Sequence, residues 1–125
     1  MCADTPPGTR APHREPWEDL RTDLLVDEER VKCWVETVPP GGQRPVHTHR
    51  NPWITVVLSG ARVESLDEHG RRIKVGTLER GQVVHNGPDV LPLRHFVRNL
   101  SHQTLVMVAV ELREARPAVE KRDSK

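Results

Sequence analysis

The sequence predicts an all-β domain, an antiparallel sandwich or jelly roll. Three observations predict it. Residues 30–38 split their side chains between two faces at a period of two, the spacing of a half-buried strand, and 53–58 and 105–112 are β-branched or apolar on both faces. Gly- and Pro-rich turn signals separate these segments, which gives about eight or nine short strands at intervals of roughly ten residues. Helix signals are nearly absent, and only residues 17–25 could hold a short helix or an edge strand.

The chain has 125 residues, which is one domain's worth. Residues 1–16 are Pro-rich with mixed charges, and residues 113–125 are similar. Both are expected to be flexible tails, because such segments bury too little surface to offset their ordering entropy. The folded domain is expected over 17–112.

Within it, 30–38 (RVKCWVETV) puts Val31, Cys33, Val35 and Thr37 on one face and Lys32, Trp34 and Glu36 on the other. Pro39-Pro40-Gly41-Gly42 stops that strand. Residues 46–49 form a short strand, broken by Arg50-Asn51-Pro52. Trp53 to Leu58 is β-branched and apolar on both faces, and Ser59-Gly60 turns it. Residues 61–67 and 72–79 flank Glu68-His69-Gly70-Arg71, a hairpin turn in which Gly70 takes a positive φ. Gln82 to His85 is a strand, Asn86 to Asp89 a loop, His95 to Arg98 a strand and Asn99 to Gln103 a turn. Residues 105–112 (LVMVAVEL) close the domain as a strand buried on both faces. Strands this apolar line the barrel with one face and meet something else with the other. In so small a chain that something is expected to be a second copy, giving a homodimer, with Ile54, Val56 and Leu58 on the outer face.

Composition excludes several classes. Lys plus Arg number 19 against 18 Asp plus Glu, with no basic block, so no nucleic-acid footprint is expected. No apolar run approaches the roughly 20 residues of a membrane span. The N-terminal residues lack the apolar core of a secretory signal, so a cytoplasmic location is expected. Of the two cysteines, Cys2 lies in the tail, so no structural disulfide is expected. Cys33 reads as a buried thiol whose strand phase also admits it to a pocket.

Three of the seven histidines, His13, His69 and His102, sit in polar tails or turns and read as solvated. His47-Thr48-His49 is different in context. Positions i and i+2 of a strand point to one face, so the two imidazoles can bind one ion from one side. A third, His95, opens a later strand, with Asn99 four residues on. The competing reading is three core histidines hydrogen-bonded to backbone.

Here the chain resembles the cupin superfamily. Gly41-Gly42-Gln43-Arg44-Pro45-Val46-His47-Thr48-His49 matches the opening of its first motif, and Gly60 closes it. Trp53 stands where the motif's glutamate usually falls. Gly81, Pro88 and His95-Phe96-Val97-Arg98-Asn99 match the second motif, with a longer loop between His85 and Arg94. The resemblance spans roughly 30–112 and implies a cupin-type jelly-roll barrel. It also implies one divalent transition metal on His47, His49 and His95, zinc or Fe(II) foremost, with nickel, manganese or copper as further options. Three neutral ligands leave the ion its full charge and open positions, so the site should favour an anionic ligand.

Strand phase puts Trp53, Thr55 and Val57 on the side of His47 and His49, as pocket walls. His85, on one face with Val83, reads as a further ligand, a proton shuttle or a satisfied core residue, and is taken as a catalytic candidate. Arg94 and Arg98 flank His95, and either could clamp a carboxylate bidentately; the alternative is a pair of solvated strand neighbours. Arg94 is the second catalytic candidate and Arg98 a pocket candidate. The chain has no tyrosine, which counts against a close likeness to the cupin thiol dioxygenases. The expected function is a metalloenzyme acting on a small carbonyl or carboxylate compound. The chemistry is either redox-neutral (cyclase, isomerase, lyase or N–N-bond formation) or Fe(II) dioxygenation. A non-catalytic metal- or small-acid-binding barrel, or an accessory subunit of a separate enzyme, is the alternative.

Overall fold

A computed structural model describes residues 13–114; most of both expected tails lies outside them. The chain opens with a short helix α1 (Pro16–Leu20), followed by β1 (Leu24–Asp27) and β2 (Val31–Val38). Then come β3 (His47–His49), β4 (Trp53–Ser59), β5 (Ala61–Asp67) and β6 (Arg72–Leu78). After these, β7 (Val83–Asn86) leads through a 3-10 turn at Pro88–Val90 into β8 (Leu93–Asn99) and β9 (Leu105–Leu112). Residues 17–25, open to either helix or strand, hold part of each. Proline opens α1, where its missing N–H is not needed. Glu15 and Glu18 form a capping box, and Arg21 ends the helix at φ 60°.

The strands build two antiparallel sheets packed as a jelly roll. One has the order β1-β2-β9-β4-β7 and the other β3-β8-β5-β6. Tight turns set the corners. Gly70 takes φ +84° in the β5–β6 hairpin, as its turn requires. At Gly60 a Cβ would stand 2.2 Å from the Leu78 carbonyl oxygen, so only glycine lets these two backbones meet.

Two apolar clusters fill the space between the sheets. Leu20, Trp34, Trp53 and Ala109 form one, with Trp17 packed on it; Val38, Ala61, Leu105 and Met107 form the other. Packing contacts reach into the segments assigned to the tails. Pro16 is fully buried, and Arg113 bonds Glu111 at 2.8 Å and Glu15 at 2.7 Å.

The inner face of β2 is the one that looks polar in sequence. Trp34, Glu36 and Val38 are buried. Val31, Cys33 and Val35 turn outward, pairing with Leu112, Val110 and Val108 of β9. Cys33 therefore lies outside the barrel interior, contrary to its expected place in the pocket. Trp34 decides the phase: its large ring is fully buried beside Trp17, and residues two apart must follow it inward.

Candidate metal centre

The β3–β8 pairing builds the centre. His47 stands directly opposite His95, and His49 opposite Leu93. Cross-strand partners share a face, so all three imidazoles enter the barrel together. Their candidate ligand nitrogens lie within 4.8 Å of one another, and all three residues are buried. Ring centroids are 4.7 Å apart for His47 with both His49's and His95's rings.

Two rings are held by an outer hydrogen bond. His47 Nδ1 is 2.9 Å from the Pro45 carbonyl oxygen, so it carries the proton and donates. His95 Nδ1 is 2.7 Å from Ser65 Oγ, a partner that fixes the ring and leaves its other nitrogen for an ion. His49 Nδ1 is buried with no hydrogen-bond partner, and the ring lies flat against Trp53. A core histidine would be expected to satisfy that nitrogen. Burial pushes the His47 pKa down to about 4 and that of His95 down to about 3. His49 falls far below the ordinary imidazole value, through burial first and its two neighbouring histidines second. All three rings are neutral at pH 7, the form a metal requires. The donor set, the orphaned nitrogen and the spacing fit a divalent ion.

The histidines open onto a cavity of about 140 Å³. Trp53, Val97, Met107 and Ala109 are among its apolar walls, drawn from both core clusters. Glu36, Thr55, Asn86 and Lys74 are its other polar lining. Trp53 and Thr55 thus stand where expected. Val57 is buried on the same inner face of β4 but lies off the cavity lining.

Four other expected site residues point elsewhere. Val84 pairs with Thr55 and Asn86 with Trp53, and both line the cavity. The alternate residues Val83 and His85 must then face outward, and both are exposed. His85 is therefore neither a ligand nor a cavity base. Alternation about the inward His95 likewise sends Arg94 and Arg98 out. Arg94 bonds Glu68 at 2.8 Å and Thr48 at 2.9 Å. Arg98 bonds Glu64 at 3.0 Å and Gln43 at 3.2 Å. Asn99, the last residue of the second motif, is structural. It donates to the Val38 and Gln103 carbonyls at 3.0 and 2.7 Å and accepts from the Ser101 N–H and hydroxyl. Glu36, Asn86 and Lys74 are the polar cavity residues the sequence reading missed. The phase of Trp34 marks the first, and the pairing of β7 with β4 marks the second.

Comparison with solved structures places the fold. A cupin domain from Bordetella pertussis superposes with a TM-score of 0.63 at 25% identity, covering 74% of this chain and 92% of the other. A conserved protein from Klebsiella pneumoniae with a double-stranded β-helix domain gives 0.55 at 20% identity, over 82% and 81%. A cupin-like protein from Thermotoga maritima gives 0.55 at 19% identity, over 73% and 66%. No protein-family model and no curated protein matches the sequence. The chain has the cupin fold. Within that fold, three histidines could bind a metal ion. No helix among the described residues is long and apolar enough to cross a membrane.

Proposed function

We propose that this chain is a small metalloenzyme acting on a small carbonyl or carboxylate compound. The observation that carries this reading is the convergence of three buried, neutral imidazoles at one end of an apolar-walled cavity. His47, His49 and His95 would hold one divalent transition metal, zinc or Fe(II) foremost. Bound there, the ion would act as a Lewis acid toward a carbonyl or carboxylate oxygen, or as Fe(II) would support dioxygen chemistry. Trp53, in the place of the motif's usual glutamate, supplies no charge, so the ligand set stays neutral and an anionic head is favoured.

The chain's own residues do the rest. The Pro45 carbonyl fixes the tautomer of His47, and the Ser65 hydroxyl holds the ring of His95 in place. Trp53 shields His49 from water by stacking on it. Val97, Met107 and Ala109 exclude water from the ligand's body, and Lys74 is exposed at the rim, where it favours an anion's approach. The barrel works as a homodimer through the outer face of its five-stranded sheet. Val108 and Val110 of β9 lie there between Val35 and Cys33 of β2 and Val56 and Ile54 of β4, an apolar stripe of the kind subunits cover.

Cobalt(II) substitution tests the open coordination positions. Adding benzoate should shift the visible spectrum of the cobalt-loaded protein, as an anion enters the ion's free positions. A spectrum indifferent to benzoate would contradict a reactive centre.

A further inference from the structure

Across the cavity from the histidine-bearing sheet stands β2, and one side chain there is at odds with its surroundings. Glu36 is 7% exposed and lines the cavity, yet its Oε1 is buried with no hydrogen-bond partner. Its cross-strand neighbour is Met107, which offers a carboxyl nothing. Burying a carboxyl without a partner opposes folding. Arg44 is the counter-charge felt at Glu36, and it makes no ion pair with Glu36 among the described residues. One Arg44 Nη donates to the Leu20 carbonyl at 2.6 Å, and its Nε is itself buried and unpartnered. The other titratable groups on the cavity are His47 and His49 from β3, His95 from β8 and Lys74 from β6. The lining residues of β4 and β9, namely Trp53, Thr55, Met107 and Ala109, carry no titratable group.

We propose that Glu36 is the proton-transferring residue of this cavity, acting on a small enolisable carbonyl compound whose polar head sits at the three histidines. The idea rests on the metal-centre reading. The carboxylate takes a proton from a carbon next to the carbonyl. The C–H electron pair becomes the enolate double bond, and the charge moves onto the carbonyl oxygen. Return of the proton to carbon restores the carboxylate and gives an exchanged or isomerised product, with no oxidant or co-reactant. Burial, opposed by the charge of Arg44 and by the neighbouring Trp34 indole N–H, lifts the Glu36 pKa to about 7, the range in which a carboxyl both accepts and returns a proton near neutrality.

The test uses the zinc-loaded full chain with Glu36→Gln and Glu36→Asp. Proton NMR in D₂O follows α-hydrogen exchange of 2-oxobutanoate, and zinc content and melting temperature are measured on the same samples. Wild type should exchange the probe, and Glu36→Gln should lose about a hundredfold or more. Glu36→Asp should keep part of the rate. Zinc content should stay unchanged, and the melting temperature should be equal or higher in Glu36→Gln, because an orphaned carboxyl has been removed. Equal exchange in wild type and Glu36→Gln would overturn the proposal, as would wild-type exchange no faster than with free zinc. A fall in melting temperature with Glu36→Gln would make the residue structural. If wild type holds no zinc, the metal-centre reading fails separately. Exchange by the metal-free chain then decides Glu36: a loss in Glu36→Gln supports it, and no exchange, or equal exchange in both proteins, refutes it.

Discussion

The indole of Trp53 lies on the imidazole of His49 with ring centroids 3.6 Å apart and planes 7° from parallel. Trp34 lies further off, its ring centroid 6.4 Å from that of His49 and its plane 17° from parallel. The imidazole is thus held by the Trp53 stack, while its Nδ1 has no hydrogen-bond partner. Trp53→Ala should therefore do two things. Stability should fall by about 3–5 kcal/mol, as for large-to-small changes in a packed core. His49, freed to rotate, should bind the ion less tightly. Urea unfolding of the metal-free protein and competition with a chelator measure the two effects. Unaltered metal affinity would show that the stack does not position the ligand.

Stability of the metal-free protein should depend on pH with a definite sign. The folded histidines resist protonation, since His47 titrates at about 4 and His95 at about 3, below the ordinary 6.5. The unfolded chain gains those protons as pH falls through 6.5, so this stabilisation is full above that value and drains away toward pH 4. Glu36 acts in the opposite sense. Its folded pKa of about 7 lies above the ordinary 4.5, so its contribution is lost as pH rises from 4.5 to 7. Three histidines outweigh one carboxyl. The melting temperature should fall between pH 6.5 and 4.5, and more steeply in Glu36→Gln, where the opposing group is gone. A flat profile would contradict the buried, neutral state of the histidines.

Asn99 fastens the end of β8 to the end of β2 and to the 99–103 turn. Asn99→Ala leaves the Val38 and Gln103 carbonyls and the Ser101 N–H short of partners, at about 1–3 kcal/mol for each buried group that water cannot reach. Chemical denaturation should show a loss of at least about 2 kcal/mol, while metal stoichiometry stays unchanged. Loss of metal with the fold intact would give Asn99 a role at the centre that its contacts do not suggest.

The outer face of the five-stranded sheet should hold two copies together. Sedimentation velocity at micromolar concentration should show a dimer for wild type and a monomer for Val56→Asp, with metal retained in both. A wild-type monomer would refute the interface. His85 lies beside this face, opposite Ile54, so His85→Ala should leave metal content unchanged.

Much of the fold is legible in the sequence because its signals are local. Gly70, the Pro39–Gly42 stop and the apolar run 105–112 each act through neighbouring residues, and the structure places a turn or strand at each, although β9 buries only the face of Leu105, Met107, Ala109 and Glu111 fully. The histidine centre is legible in part for the same reason: His47 and His49 are two apart, and His95 lies in the strand that pairs with theirs. The phases of β2 and β7 are not legible from local pattern. In β2 the apolar set Val31, Cys33 and Val35 faces out while Trp34 and Glu36 face in, so hydropathy alone picks the wrong side. In β7 four residues carry too little pattern, and only pairing with Trp53 and Thr55 shows that Val84 and Asn86 face in. Face assignment depends on which strand lies alongside, and that is decided by long-range contacts.

The most direct measurement is metal content by ICP-MS on the full chain, purified without an affinity tag or added metal, beside His47→Ala. A three-histidine centre predicts about one divalent transition metal per chain, lost in His47→Ala while circular dichroism still reports a folded β protein. A wild-type protein that holds no stoichiometric metal, even after dialysis against zinc or anaerobic Fe(II), would contradict it.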